Sequence, residues 1–323
     1  MNPVSPLPPL VVEVTRGDRI ESRHDVDVAI VDVDGQLVRA HGDAHRDVMP
    51  RSASKPLQAL PLVATGAADA FGLGDVELAL ACASHDGEPD HVSAVRAWLG
   101  RLGLDVGALA CGSHLPMHEA SASDMVVAGA TPDPTHNNCS GKHVGFLTVL
   151  RHLDLPLDGY LDPSHPLQAD HVTPALAEAC GVDLTSQIPG VDGCGIPVWS
   201  VPLDGLAGAW AGLGSAPAGA PATRLLDAMR AEPFHVAGSD RACTRIIRAA
   251  SGSTVVKTGA EGVFCAALPA SGLGLALKVR DGARRAADAA VVHLLTELGC
   301  LRDEGPELLC NRAGTIVGRI HVA

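Results

Sequence analysis

The chain predicts a mixed α/β protein of the α+β kind, with an antiparallel central sheet formed by both chain ends, flanking helices and a helical lobe between them. Three observations carry this. Residues 26–38 alternate apolar and polar side chains around Asp34-Gly35, the pattern of a β-hairpin near the N-terminus. Strand-like runs then return only late in the chain, near residues 254–257, 262–268, 274–278 and 315–321. The stretch between them carries helix-period patterns instead.

Taken in order, residues 1–10 read as a disordered N-terminus, and residues 1–323 as a single domain with two lobes. Residues 55–68 are helix-like, with Pro56 tolerable only in the first turn, so Ser52 and Lys55 fall at the helix entrance. There the helix dipole favours developing negative charge. Further helical patterns occupy residues 75–83, 91–102, 174–180, 223–231, 241–250 and 284–298. Residues 205–223 are uncharged and long enough to span a bilayer, but Gly205, Gly208, Gly212, Gly214, Gly219, Pro217 and Pro221 exclude a stable membrane helix. The second half of that stretch reads as a flexible loop. No internal repeat is present at a solenoid period.

The formal charge of −13 on 323 residues excludes a nucleic-acid or anionic-membrane surface, because binding phosphates requires clustered Lys and Arg. A small-molecule partner is expected. The 9 cysteines are scattered without a Cys-x-x-Cys pair, and most lie in apolar stretches such as Leu80-Ala81-Cys82-Ala83. That usage fits a reduced compartment, and the first residues lack the basic start and apolar run of a signal peptide, so a cytoplasmic location is expected.

Two patterns carry chemistry. Ser52-Ala53-Ser54-Lys55 places a serine three residues before a lysine, a spacing at which the side chains share a helix face and can exchange a proton. Alone it better suits an N-cap followed by a solvated lysine. Lys257-Thr258-Gly259 adds a lysine on a strand end beside a turn that permits close backbone approach. A lysine accepts a serine proton only if its pKa falls from about 10.4 toward neutrality, and a second nearby cation lowers it. Cys139 and Lys142 sit three apart and Cys194 follows in Asp192-Gly193-Cys194-Gly195. On spacing alone these are buried thiols rather than a metal site, since lysine ligates zinc only when neutral. His114 and His118 stand four apart, but Pro116 breaks the helix that would align them, which favours a turn with hydrogen-bonded imidazoles.

The segments Arg51-Ser52-Ala53-Ser54-Lys55-Pro56-Leu57-Gln58, Ala83-Ser84-His85-Asp86-Gly87-Glu88, Cys111-Gly112-Ser113-His114-Leu115-Pro116, Asn137-Asn138-Cys139-Ser140-Gly141-Lys142-His143, Asp192-Gly193-Cys194-Gly195 and Lys257-Thr258-Gly259-Ala260-Glu261-Gly262 occur in that order. In this the chain resembles the rhizobial-type L-asparaginases, the thermolabile asparaginase II family, from about Val11 to the C-terminus. The resemblance implies a serine β-lactamase/glutaminase-like fold, hydrolysis of L-asparagine to aspartate and ammonia, and a homodimer. It implies two serine–lysine tandems, Ser52 with Lys55 and Ser84 with Lys257, and a Zn2+ site at Cys139, Lys142 and Cys194.

Substrate recognition needs partners for an α-ammonium and an α-carboxylate. Asp192 suits the first and Arg51 the second, although each equally suits a structural ion pair. Asn138 and Glu261 are further pocket candidates, and His143 is either a support for Lys142 or a satisfied polar residue at a helix start. Asp86 and the Arg241-Ala242-Cys243-Thr244 segment depart from the family pattern, which puts the local pocket charge and one hydrogen bond in question. Two other readings remain open: a serine–lysine amidase of the penicillin-binding or glutaminase type acting on glutamine or a β-lactam, and a non-catalytic zinc or thiol sensor.

Overall fold

The computed structural model describes residues 7–323. Residues 1–6 of the expected N-terminal tail lie outside the described residues, while Leu7 bridges His41 and Leu10 opens the first strand. The chain divides into two compact units. One comprises the chain up to Ala53, Ser200–Ser215 and Ala249–Ala323; the other comprises Ser54–Trp199 and Ala216–Arg248.

The first unit is an 8-stranded antiparallel sheet drawn from both chain ends, as the strand patterns predict. Its path runs Glu307–Cys310, Ile316–Val322, Leu10–Arg16, Arg19–Asp32, Leu273–Val279, Val263–Leu268, Val255–Thr258, with Leu37–His41 also pairing Arg19–Asp32. The first half of Arg19–Asp32 pairs with Leu10–Arg16, and its second half pairs with Leu273–Val279 in the register Ala29↔Ala276. The expected hairpin closes where the Asp32 carboxylate accepts the Asp34 and Gln36 amides at 3.0 and 2.8 Å. Gly35 takes the left-handed conformation that this turn requires, at φ +76°.

Two helices cover the sheet. Arg284–Glu297 is the helix the sequence predicts, buried along Ala286, Ala287, Ala290, Val291, Leu294 and Leu295. The other, Leu203–Ser215, overlaps the first half of the stretch whose glycines argued against a stable membrane helix. A Cβ on Gly274 would stand 2.0 Å from Ala207 O and 2.3 Å from Ala211 N, so strand and helix backbones are nearly in contact. Gly274→Ala is therefore expected to force them apart and to destabilise the protein by about 1–3 kcal/mol. An unchanged thermal midpoint in that variant would show that the contact is not so close.

The second unit is helical. The single helix expected over residues 55–68 is broken into Lys55–Gln58, Leu60–Ala64 and Ala67–Ala70. Pro56 falls in the first turn of the first piece, as the sequence requires; Pro61, which lacks a donor, falls in the first turn of the second, at the break, and Gly66, left-handed at φ +82°, separates the second from the third. At the centre lies Ser140–His152, buried at every position from Ser140 to Leu150. A Cβ on Gly141 would stand 2.4 Å from Leu80 O, and one on Gly145 would be within 3.6 Å of Ala81, Leu62 and Trp98. This central helix thereby seats Cys139, at its N-cap, and Lys142, in its first turn, against the surrounding helices.

Candidate active site

In the second unit the site grows from the start of Lys55–Gln58. Lys55 is among the largest fully buried side chains of the protein. Its Nζ donates to the Ala83 carbonyl, to Ser84 Oγ at 3.1 Å and to the Asn138 carbonyl at 3.3 Å. Among the described hydrogen bonds, then, Lys55 joins Ser84, a pairing that crosses the two tandems inferred from sequence. Lys55 also hydrogen-bonds Cys139, which brings the serine–lysine pair to the thiols.

Cys139 and Cys194 share a hydrogen bond, and Lys142 Nζ donates to Cys194 Sγ at 3.0 Å. The Cys194 hydrogen bond holds the Cys139 thiol well below its usual pKa; burial opposes this, and Lys55 and Lys142 assist. Its place at a helix N-terminus acts in the same direction. Cys194 moves the other way, raised by its bond to Cys139 and by burial, so the pair retains one proton between two sulfurs. Lys142 is wholly buried; burial lowers its pKa, but Cys194 and Cys139 outweigh that and raise it. Cys111 nearby is a buried thiol that desolvation pushes up to about 12.

Cys194 sits at the tip of a small hairpin whose strands are Gly190–Val191 and Pro197–Val198. Asp192 closes that tip: its amide donates to Ile196 O at 2.9 Å and its carbonyl accepts from Gly195 N at 2.9 Å. Its carboxylate, half-buried, accepts from Gly193 N at 2.7 Å and contributes to the raised pKa of Lys142. Asn138 offers its carbonyl to Lys55, while its amide donates to His114 Nε2 at 3.1 Å. His114 and His118 lie in a turn, with His118 capping the helix Glu119–Val127, so the pair is not a metal helix. His143 contacts the Tyr160 hydroxyl at 2.7 Å and is kept neutral first by burial and then by Lys142 and Lys55.

Within the first unit, Ser52 is half-buried in the turn Arg51–Ser54, where Arg51 holds a left-handed φ of +50°. Such a conformation is strained for a residue with a Cβ. Lys257 is fully buried, and its Nζ donates to Thr258 O at 2.9 Å. A Cβ on Gly259 would lie 2.6 Å from Pro50 O and 3.3 Å from Ala53 N, so the end of the Lys257 strand is pressed against the turn that carries Ser52. Glu261 is exposed in a left-handed turn at φ +56°, where its carbonyl accepts from Lys278 at 2.7 Å.

Several supports were not legible as functional residues. Asn137 ties two segments together, donating to Cys111 O and accepting from Cys139 N at 2.8 Å each; its place in the Asn-Asn-Cys motif was the available signal. Tyr160, the chain's 1 tyrosine, had none. His85 and His91 are buried, stacked at 4.9 Å, and desolvation lowers the pKa of both. Because the folded values lie below the unfolded value of about 6.5, the unfolded chain takes up protons first and stability falls as pH drops below about 6.5. The urea midpoint is expected to be lower at pH 5.5 than at pH 7.5, with a smaller difference in His91→Phe.

These residues sit in a chain of the asparaginase-type amidohydrolase class. Residues 12–318 match the family described as L-asparaginase II, and the chain belongs to that family. None of the curated proteins compared with it matches. Among solved structures, a β-lactamase of Mycobacterium bovis is similar at 16% identity and TM-score 0.42, over 85% of this chain and 95% of that one. A protein designated Mglu, in its native form at 4.3 M NaCl, is similar at 16% identity and TM-score 0.40 over 87% of this chain. The present chain spans 62% of the length of that protein.

Proposed function

We propose that the protein hydrolyses the side-chain amide of L-asparagine to L-aspartate and ammonia by a serine–lysine mechanism. The observation that carries this reading is the buried contact between Lys55 Nζ and Ser84 Oγ at 3.1 Å in a chain of the L-asparaginase II family. Ser52 is assigned the attack, because it is half-buried and lies three residues before Lys55, whereas Ser84 is only 4% exposed. Its hydroxyl loses a proton to lysine as Oγ bonds to the carboxamide carbon. That proton passes to the leaving nitrogen as the C–N bond breaks and ammonia departs. Water then adds to the aspartyl ester, giving up its proton to the same base, and aspartate leaves with Ser52 restored. Ser84 holds the Lys55 amine in place, and Lys257 is the second amine of the mechanism. Arg51 and Asp192 are the partners for the substrate carboxylate and ammonium, with Asn138, His143 and Glu261 as further candidates for substrate contact.

The donor set at Cys139, Lys142 and Cys194 fits zinc. Two hydrogen-bonded thiols and an amine converge in a buried site, and sulfur with nitrogen is the ligand chemistry that zinc takes. Bound there, zinc would supply a fixed positive charge that favours the unprotonated amines. Among the described residues no helix is long and apolar enough to cross a membrane. The formal charge of −13 supports a protein that binds neither nucleic acid nor an anionic membrane, and the family resemblance and cysteine usage suggest a cytoplasmic homodimer.

Steady-state ammonia release from L-asparagine, with L-glutamine run beside it, tests the activity. Asparagine is expected to turn over faster. A faster glutamine rate would replace the substrate, and no release from either would sink the reading. Loss of turnover in Ser84→Ala but not in Ser52→Ala would move the attack to Ser84.

A further inference from the structure

Residues 84–88 belong to no helix or strand, yet all are buried. A buried irregular segment must satisfy its polar groups from other parts of the chain. Here a second segment, residues 236–241, supplies them at three points. The Ser84 amide donates to Val236 O at 2.9 Å. Ser239 donates to the Glu88 carboxylate through its amide at 2.8 Å and its hydroxyl at 2.7 Å. Arg241 donates to the Asp86 carboxylate in an ion pair whose side chains are 10% and 8% exposed. Between these ties Gly238 passes so close that a Cβ there would stand 2.7 Å from Glu88 Oε1. Asp86 is also held through its carbonyl, which accepts the Met117 and His118 amides at 2.8 and 3.2 Å.

We propose that Arg241 is a positioning residue for the reaction: its ion pair with Asp86, two residues beyond Ser84, fixes the buried segment so that Ser84 Oγ stays on Lys55 Nζ. The inference rests on the functional reading above, in which the Lys55–Ser84 contact is part of the catalytic machinery. Among the described hydrogen bonds and ion pairs, Arg241 joins Asp86 and neither Ser84 nor Lys55. It acts through a short, buried and otherwise irregular stretch, where losing one anchor changes the aim of the hydroxyl rather than removing a reacting group.

Arg241→Ala and Arg241→Lys test this, compared at equal folded fraction by circular dichroism. In Arg241→Ala, kcat for asparagine is expected to fall by about tenfold to a hundredfold while KM changes by less than about threefold. Arg241→Lys, which keeps the charge, recovers part of kcat. Amide hydrogen exchange in residues 84–88 quickens in Arg241→Ala and returns toward the parent rate in Arg241→Lys. A purely stabilising role would lower the thermal midpoint and leave kcat of the folded enzyme unchanged, and that result overturns the proposal. So does a rise in KM alone, or unchanged exchange at residues 84–88. If Arg241→Ala does not fold, Arg241→Lys against Asp86→Asn gives the same comparison, with unchanged kcat and exchange in both overturning it. If the unmodified protein releases no ammonia from asparagine, the functional reading fails by itself and the exchange measurement still decides whether Arg241 holds the segment.

Discussion

Lys55→Met is expected to lower turnover of asparagine by about a hundredfold to ten-thousandfold, and Lys55→Arg by a similar factor. Methionine keeps the volume of the side chain and removes the amine that contacts Ser84 Oγ at 3.1 Å. The carbonyls of Ala83 and Asn138 then lose a donor in a buried place, at a cost of about 1–3 kcal/mol each. Stability should therefore fall measurably while rate collapses. Arginine is the more decisive variant. It keeps a positive charge but cannot be deprotonated in a protein, so it cannot accept a serine proton. Activity retained in Lys55→Arg would mean that Lys55 acts only as a fixed charge, and activity retained in both variants would remove it from the mechanism. The measurement is kcat for ammonia release, with thermal midpoints to confirm that both variants fold.

What the sequence made legible follows from how each element is exposed. The sheet from both chain ends was readable because its strands carry alternation or short apolar runs bounded by turns, and Asp34-Gly35 closes the first hairpin. The helix Ser140–His152 was not assigned, because a helix buried on every side has no polar face and so no period to detect. Glu119–Val127 escaped for the opposite reason, having no buried residue at all. In Leu203–Ser215 the glycines count against a helix locally, and the close approach of its backbone at Ala207 and Ala211 to Gly274 is a gain only tertiary contact supplies. The site behaved similarly. Ordered motifs singled out Lys55, Ser84, Cys139, Lys142 and Cys194 as candidates, but the hydrogen bond from Lys55 to Ser84 spans 29 residues and no spacing rule reaches it. The ion pair of Asp86 with Arg241 spans 155, and both residues had registered only as departures from a pattern.

The parent protein is expected to bind about one zinc ion per chain and the double variant Cys139→Ala, Cys194→Ala to bind none. Removing both sulfurs leaves Lys142 as a lone nitrogen donor, too few ligands for a structural or catalytic site. The same variant separates metal binding from protonation of the thiols. In the parent, the lysine must be neutral and the sulfurs ionised before they ligate, so affinity for zinc should fall as pH is lowered and binding should release protons. In the double variant there is nothing left for pH to act on through sulfur. Metal content by atomic emission and proton release by titration calorimetry in two buffers of different ionisation enthalpy measure both effects. Stoichiometric zinc retained in the double variant would count against the site. Zinc lost with turnover unchanged would place both the metal and the two thiols outside the reaction, leaving it to Lys55 and the serines.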